Sequence, residues 1–473
     1  MSLLDELVAV TDRERVTDRP YDLHLHSGDA GLRTGHATIV VFPETTDEVV
    51  AVVRVAAKQG VPLVARGAGT GLASGAVPTE GGIVLTLTHM NEITEINVEN
   101  GTAWVGPGVI NLDLSRATTP HSLHFAPDPS SQQACTIGGN IANNSGGPHC
   151  LSEGSTVNHV LAVEMVTADG EVITLGSAAP DPIGLDLRSV VVGSEGTLGI
   201  VTRALVKLTP NPPQVRTLLC AFPTVEGAAG AVSGIIAAGV VPAALEMMDQ
   251  GMLIAVENWL HAGFPTESAA ALIAEVHCTT ESADAEVDLI RRVAEDHGAT
   301  EVRVARDEAE REIIWKGRKS AFGAIAQTAP NYYLHDTVVP RTKLVETVLE
   351  LYQIAEDAGL VMMNVFHAGD GNLHPLIAFD AKDDVMAKRV HEAADKMVAA
   401  CVAKGGVLSG EHGIGSEKRD LMGTVFTEYD LDAQARLKQV FDPDRILNPA
   451  KILPSGSRCF DYGGAPLPEG TWI

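Results

Sequence analysis

From residue 38 onward the apolar residues fall into short blocks with two alternating periods. Ile39-Val-Val-Phe42 is a continuous apolar run of strand length, and Thr45-Thr-Asp-Glu48 carries the hydroxyl and acidic groups that start a helix. The helix is expected to run to about Gln59, where Gly60 ends it, and Val61-Pro-Leu-Val-Ala65 follows as a second strand. The opening is therefore β-α-β. Further strands are expected at 83–87, 93–98 and 102–105, with a hairpin of 160–168 and 171–175 around the turn-forming pair Asp169-Gly170. Residues 1–35 are polar and weakly patterned, a helix plus irregular chain, in which Leu23-His-Leu-His26 alternates as a strand would.

The prolines of Thr209-Pro-Asn-Pro-Pro213 mark a boundary. Beyond them the segments lengthen, with elements expected at about 225–238, 243–247, 269–274, 284–297, 307–326 and 343–358, a strand at 360–365, a long helix within 381–404 and a last helix at 431–440. In the 381–404 helix Met386, Val390, Ala393, Met397 and Cys401 recur in steps of three and four, which makes Cys401 a core residue. Residues 227–245 carry no charge, but glycines and Pro242 dilute the run, so it reads as a helix and a buried strand and not as a membrane span.

A chain of 473 residues exceeds one ordinary core, and two or three lobes are expected. The formal net charge of −27 argues against nucleic acid and anionic membrane surfaces, leaving small substrates. The six cysteines, at 135, 150, 220, 278, 401 and 459, form no C-x-x-C pair. That fits reduced thiols and no iron–sulfur motif, so any electrons leave through another partner. The acidic start Met1-Ser-Leu-Leu-Asp-Glu lacks a basic signal region, and the expected location is cytoplasmic, at most peripheral to the inner face of the membrane.

Three glycine-rich stretches and one histidine cluster carry the chemistry. Arg66-Gly-Ala-Gly-Thr-Gly-Leu-Ala-Ser-Gly75 frees backbone N–H groups to converge on an anion, yet it matches neither G-x-G-x-x-G nor a P-loop. The stretch from Cys135 to Gly147 and the loop from Gly193 to Ile200 add more uncharged donors, and together the three loops suggest a large cofactor wrapped by backbone. In Phe366-His-Ala-Gly-Asp-Gly-Asn-Leu-His-Pro375 a Gly-rich reversal can place His367 and His374 on two arms of a hairpin. With Glu411 of Gly410-Glu-His-Gly-Ile-Gly415 they form an N/O ligand set that zinc, manganese or ferrous iron accepts, and His412 is left beside it as a candidate general base.

In this order the motifs resemble the flavoprotein superfamily of vanillyl-alcohol oxidase and para-cresol methylhydroxylase. Within it the chain is most similar to the FAD-linked D-2-hydroxyacid dehydrogenases, of the glycolate oxidase flavoprotein subunit and D-lactate dehydrogenase type. The carrying motifs are Arg66 to Gly75, Pro127 to Gly147, Gly193 to Ile200, Trp315 to Ala324, His367 to Pro375, Gly410 to Arg419 and Phe441 to Pro454. The resemblance implies an α+β fold: a lead-in (1–37), a two-subdomain FAD-binding domain (38–212), an α+β substrate or cap domain with the metal site (213–430) and a C-terminal segment (431–473) returning to the first. It implies non-covalent FAD, since Thr70 stands where covalent members carry histidine. The residues expected to hold the FAD are Arg66, Gly67, Gly69, Thr70, Gly71, Gly75, Pro127, Asp128, Ser131, Gly138, Gly139, Asn143, Gly147, Glu195, Ile200 and Asn448.

In the second half the resemblance implies His367, His374 and Glu411 as ligands of a divalent metal, zinc before manganese or iron. His412 is then the catalytic base and Arg318 the holder of the substrate carboxylate. Leu334 stands where hydroxyglutarate enzymes place a lysine, which favours D-lactate or glycolate over D-2-hydroxyglutarate, with His335 as a substitute partner for a second carboxylate. Asp336 and Arg341 read as structural residues. A further departure is Leu151-Ser-Glu-Gly-Ser155, where glycolate-oxidase-like chains commonly have Lys-Tyr-Gly. The implied partners are a small 2-hydroxy acid and an electron acceptor, which is a quinone, a cytochrome, an electron-transfer flavoprotein or an iron–sulfur subunit. The sequence leaves the oligomeric state open, a homodimer being one assembly compatible with it. A metal hydrolase using the same ligands would leave the three glycine loops unexplained.

Overall fold

The computed structural model describes residues 2–179 and 184–454. Near the N-terminus Ile39–Val41, Ile83–Thr86 and Leu63–Arg66 pair in parallel in that order, with Val16–Thr17 antiparallel at the outer edge. Parallel neighbours need a crossover, and helix Thr46–Gln59 supplies it. Thr45 accepts the Glu48 N–H at its start, Gly60 takes φ 62° at its end, and Val49, Val52, Val53 and Ala56 bury its inner face. A second sheet is antiparallel, in the order Ile93–Asn97, Thr102–Val105, Ile200–Lys207, Val160–Val166, Val172–Gly176. The hairpin around Asp169-Gly170 forms as expected, with Gly170 at φ 79°.

The largest sheet runs Glu301–Val304, Gln214–Phe222, Ala270–Cys278, Ala244–Asp249, Met362–His367, Asn372–Leu373, Thr337–Val338, antiparallel throughout. Both faces are covered, and so its strands are continuously apolar. One face packs helices Val225–Ala237, Ala283–Asp296, Leu344–Asp357 and Asp384–Ala403 around Phe222, Leu272, Phe366 and Met397. The other packs Gln250–Leu260, Glu308–Lys319 and Ala321–Ile325 around Met248, Ile273 and Trp315. Cys401 is buried on the helix stripe that the sequence indicates. Among the described residues no helix is long and apolar enough to cross a membrane, and 227–245 is a helix followed by a buried strand.

Four local expectations are corrected. The Leu23–His26 stretch belongs to helix Pro20–Leu25 and its cap, started by Pro20; His26 Nδ1 lies 2.8 Å from the Asp22 carbonyl and its ring packs edge-on against Phe42. The second glycine stretch contains helix Ile137–Asn143, capped by Thr136, with Ile137 and Ile141 in the core. The 307–326 element breaks at Ser320 into two helices. The element expected at 269–274 is a strand that continues to Cys278 and carries a buried glutamate, Glu275.

Candidate functional site

The turn between Met362–His367 and Asn372–Leu373 is tight because Gly371, at φ 81°, lies against the Val339 carbonyl, where a Cβ would stand 2.1 Å from the oxygen. Arg341 supports the turn by donating to the Gly369 carbonyl at 3.1 Å. His367 and His374 are consequently brought together, ring centroids 5.0 Å apart. The Glu411 loop reaches them because Asp336, fully buried, accepts the N–H groups of Gly410, Glu411 and His412 and the Ser409 hydroxyl. Lys418 neutralises that carboxylate at 3.2 Å. Asp336 thus acts as the anchor of the loop.

On Glu411 Oε1 three imidazoles converge: His367 Nε2 at 3.3 Å, His374 Nε2 at 3.4 Å and His412 Nε2 at 3.4 Å. Ligand atoms of His367, His374 and Glu411 all lie within 4.8 Å of one another. Burial would make His367 less basic, but Glu246 and Glu411 outweigh it and raise its pKa well above normal. The same contact, chiefly with His367, overcomes burial at Glu411 and holds its carboxyl well below the usual range. His374 goes the other way, to about 4, because burial dominates. It is therefore neutral, with both ring nitrogens buried and without a hydrogen-bond partner in the chain. The two imidazole nitrogens of His367 and His374 and the Glu411 carboxylate, with His374 otherwise orphaned, fit a divalent metal.

Behind the cluster Glu246, fully buried in the apolar strand Ala244–Asp249, contacts His367 Nδ1 at 2.7 Å and Arg318 Nε at 2.6 Å. A carboxylate on Nδ1 fixes the ring and directs Nε2 toward Glu411. Arg318 is 1% exposed, and its two terminal nitrogens have no partner within the chain. His335 is equally buried, lowered to about 3 chiefly by burial, and lies against Tyr333.

The cluster opens into one cavity. Gly67, Gly69, Thr70, Gly71, Gly75, Ser131, Gly139, Asn143 and Glu195 line it on one side, and Lys319, Phe322, Tyr332, Glu411 and His412 on the other. His412 is the histidine that faces this space, while His367 and His374 are packed behind it. The glycines keep the wall at backbone level: a Cβ on Gly67 would stand 2.3 Å from the Thr136 hydroxyl, and Gly69 has φ 73°. A wall of backbone amides with little side-chain bulk fits a dinucleotide such as FAD.

The other residues expected to hold a cofactor do not line this cavity. Arg66 bonds the Gly28 carbonyl at 2.7 Å, Pro127 accepts from Asn111, Gly138 packs on Pro107, Gly147 on Asp128, and Ile200 is in the core. Asp128 pairs with His149 at 3.0 Å. Asn448 donates to the carbonyls of Gly75 and Glu195, at 2.8 and 2.6 Å. Two residues on the cavity wall also stitch the halves together. Glu195 accepts the N–H groups of Ile414 (2.7 Å) and Gly415 (2.8 Å), and Asn143 donates to the His412 carbonyl at 2.9 Å.

Gly415 completes the seam, since at φ 53° a Cβ would stand 1.7 Å from the Ala73 carbonyl oxygen. Gly415→Ala is expected to cost about 1–3 kcal/mol of stability, the usual penalty of overpacking, read as a lower urea midpoint of unfolding. An unchanged midpoint would show that the seam yields freely.

Sequence reasoning misses Glu246, Lys319 and a second cluster around Glu275. That carboxylate meets Arg311 at 2.9 and 3.0 Å, the Trp315 indole at 2.5 Å, the Thr217 hydroxyl at 2.6 Å, and His149 and His277 at 3.4 and 3.3 Å. Its lone pairs are occupied by N–H and O–H donors, so His149, Glu275 and His277 form an ion-pair network. Burial opposes charge on His149, but Asp128 and Glu275 raise its pKa to about 10. The signal available in the sequence is one glutamate inside each of two apolar strands, which is stable only with buried partners.

Residues 37–176 match the FAD binding domain, and residues 211–452 match the FAD linked oxidases, C-terminal domain. The chain is 43% identical to the glycolate oxidase subunit GlcD of Escherichia coli K12 over 460 residues, covering 97% of this chain and 91% of that one. It is 34% identical to a D-lactate dehydrogenase of Archaeoglobus fulgidus over 429 residues, covering 89% and 92%. The solved structure of p-cresol methylhydroxylase with substrate bound superposes with a TM-score of 0.81 at 15% identity, covering 96% of each chain, which establishes a common fold.

Proposed function

The chain belongs to the FAD linked oxidases and is an oxidoreductase that uses FAD, and from that premise we propose that it oxidises a small 2-hydroxy acid, glycolate or D-lactate, to the 2-oxo acid. The observation that carries the reading is the seam: the loop bearing Glu411 and His412 is seated on the glycine loops, so a metal-type cluster and a dinucleotide cradle share one cavity. When bound, FAD supplies the hydride acceptor and a divalent ion, zinc in the first instance, supplies Lewis acidity toward the substrate hydroxyl.

The residues then divide the remaining work. The two unpartnered nitrogens of Arg318 are a bidentate receptor for the carboxylate. His412, held by its own backbone at both Asp336 and Asn143, takes the hydroxyl proton. Glu246 holds His367 and Arg318 in mutual register. Leu334 is half-buried against an apolar cluster and brings no cation for a second carboxylate, which supports a monocarboxylate. Thr70 on the cavity wall offers no imidazole for a flavin linkage, in keeping with non-covalent FAD.

The purified protein is expected to be yellow and to lose its flavin absorbance on anaerobic mixing with glycolate or D-lactate. Bleaching by neither acid, or by D-2-hydroxyglutarate alone, would overturn the substrate reading.

A further inference from the structure

An anionic substrate enters this protein against its field. The chain has 34 basic and 61 acidic residues, and Glu195 and Glu411 both stand on the cavity wall. Among the described residues lining the cavity, Lys319 is the one lysine or arginine. It ends helix Glu308–Lys319, where the adjacent Arg318 turns inward to Glu246 while about a third of the Lys319 side chain (31%) stays exposed. Its Nζ lies 3.8 Å from Asp128 Oδ2, beyond hydrogen-bond distance, and that carboxylate is already engaged by His149 at 3.0 Å. The ammonium is thus loosely held on a flexible stem.

Lys319 also stands near the histidine cluster. A Cβ on Gly146 would lie 3.1 Å from Glu411 Oε2, and one on Gly147 would lie 2.8 Å from Asp128 Oδ1. Asp128 and Glu411 therefore stand against adjacent glycines, and the cation beside Asp128 lines the same cavity as His412.

We propose that Lys319 is the capture residue for the substrate carboxylate: it leaves Asp128, pairs with the incoming anion and delivers it to the cavity end where Arg318 holds it. The proposal rests on the reading of this protein as a 2-hydroxy acid oxidase. Encounter with Lys319 and final binding at Arg318 are separate events, so the two residues have different kinetic signatures.

The test uses full-length, FAD-loaded protein. For Lys319→Met, kcat/KM for glycolate or D-lactate is expected to fall about tenfold, the scale of electrostatic steering, with kcat largely kept. With the cation removed the repulsive field stands unopposed, so kcat/KM should rise more steeply with ionic strength in Lys319→Met than in the parent protein, and Lys319→Arg should restore both values. A structural role would move neither the salt dependence nor its rescue by arginine. Lys319→Gln is measured alongside in case the methionine variant loses FAD.

Binding of oxalate, which cannot surrender a hydride, is followed in parallel by its perturbation of the flavin absorbance, and its Kd is expected to rise about tenfold in Lys319→Met. Unchanged kcat/KM and unchanged oxalate binding would overturn the proposal. So would an effect on D-2-hydroxyglutarate with glycolate, D-lactate and oxalate all unaffected, which would make Lys319 the receptor of a distal second carboxylate. Should no 2-hydroxy acid reduce the parent flavin, the functional reading fails, and the oxalate comparison still decides the role of Lys319.

Discussion

His367→Ala is expected to retain FAD and to lose reduction of the flavin by 2-hydroxy acid, by about 10³-fold or more. The glycine wall contains no part of His367, which is packed behind Glu411 and His412, so the dinucleotide cradle stays intact. The substitution removes one of three ligand atoms that lie within 4.8 Å of one another. Losing the several kcal/mol by which a divalent ion stabilises developing charge corresponds to roughly 10³-fold in rate. Two measurements check it, bound FAD by absorbance and anaerobic stopped-flow reduction. Chelation of the parent protein should reproduce the defect, and added zinc should reverse it there but not in the variant. Turnover persisting in a metal-free His367→Ala protein would sink the metal-assisted reading.

Glu246→Gln is expected to be strongly destabilising although the two side chains have nearly the same shape. Glu246 is fully buried between Arg318 and His367, and burial, which would by itself raise its pKa, is outweighed by those two cations. Neutralising it strands a buried guanidinium, and breaking such a pair costs about 3–5 kcal/mol. The loss should appear as a lower urea midpoint. The His367 ring would also lose the carboxylate that orients it, so metal affinity should fall about 10–100-fold, measured by competition with a chromophoric chelator. A variant with parental stability and parental metal affinity would show that Glu246 holds neither residue.

Much of the fold is legible because local chemistry and tertiary packing agree. The helix from Thr46 to Gln59 has its cap, its stop and its apolar face in consecutive residues, and Asp169-Gly170 specifies its own turn. His367 and His374 are legible as a pair because the Gly-Asp-Gly reversal between them is local. Leu23–His26 misleads because period-two alternation over four residues is also compatible with one helical turn, and Pro20 favours the turn. Ile137–Asn143 is obscured by Gly138 and Gly139, which lower helix propensity but are offset by the burial of Ile137 and Ile141.

What the sequence by itself determines is therefore what short-range rules carry: element types, three glycine-rich stretches, two histidine-bearing segments and a strongly negative net charge. The tertiary structure decides which of these meet. Glu411 reaches His367 because Asp336 gathers a loop more than seventy positions away in the chain. Glu246 finds His367 and Arg318 from two other elements, and Glu195 closes the seam onto Ile414 and Gly415. A buried charge specifies that partners must exist but not where along the chain they lie, because the cost of burying it is repaid by proximity in space. Arg318 and Lys319 show the point most directly: adjacent in sequence and alike in charge, they are sent to the buried Glu246 carboxylate and to the cavity wall by the last turn of one helix.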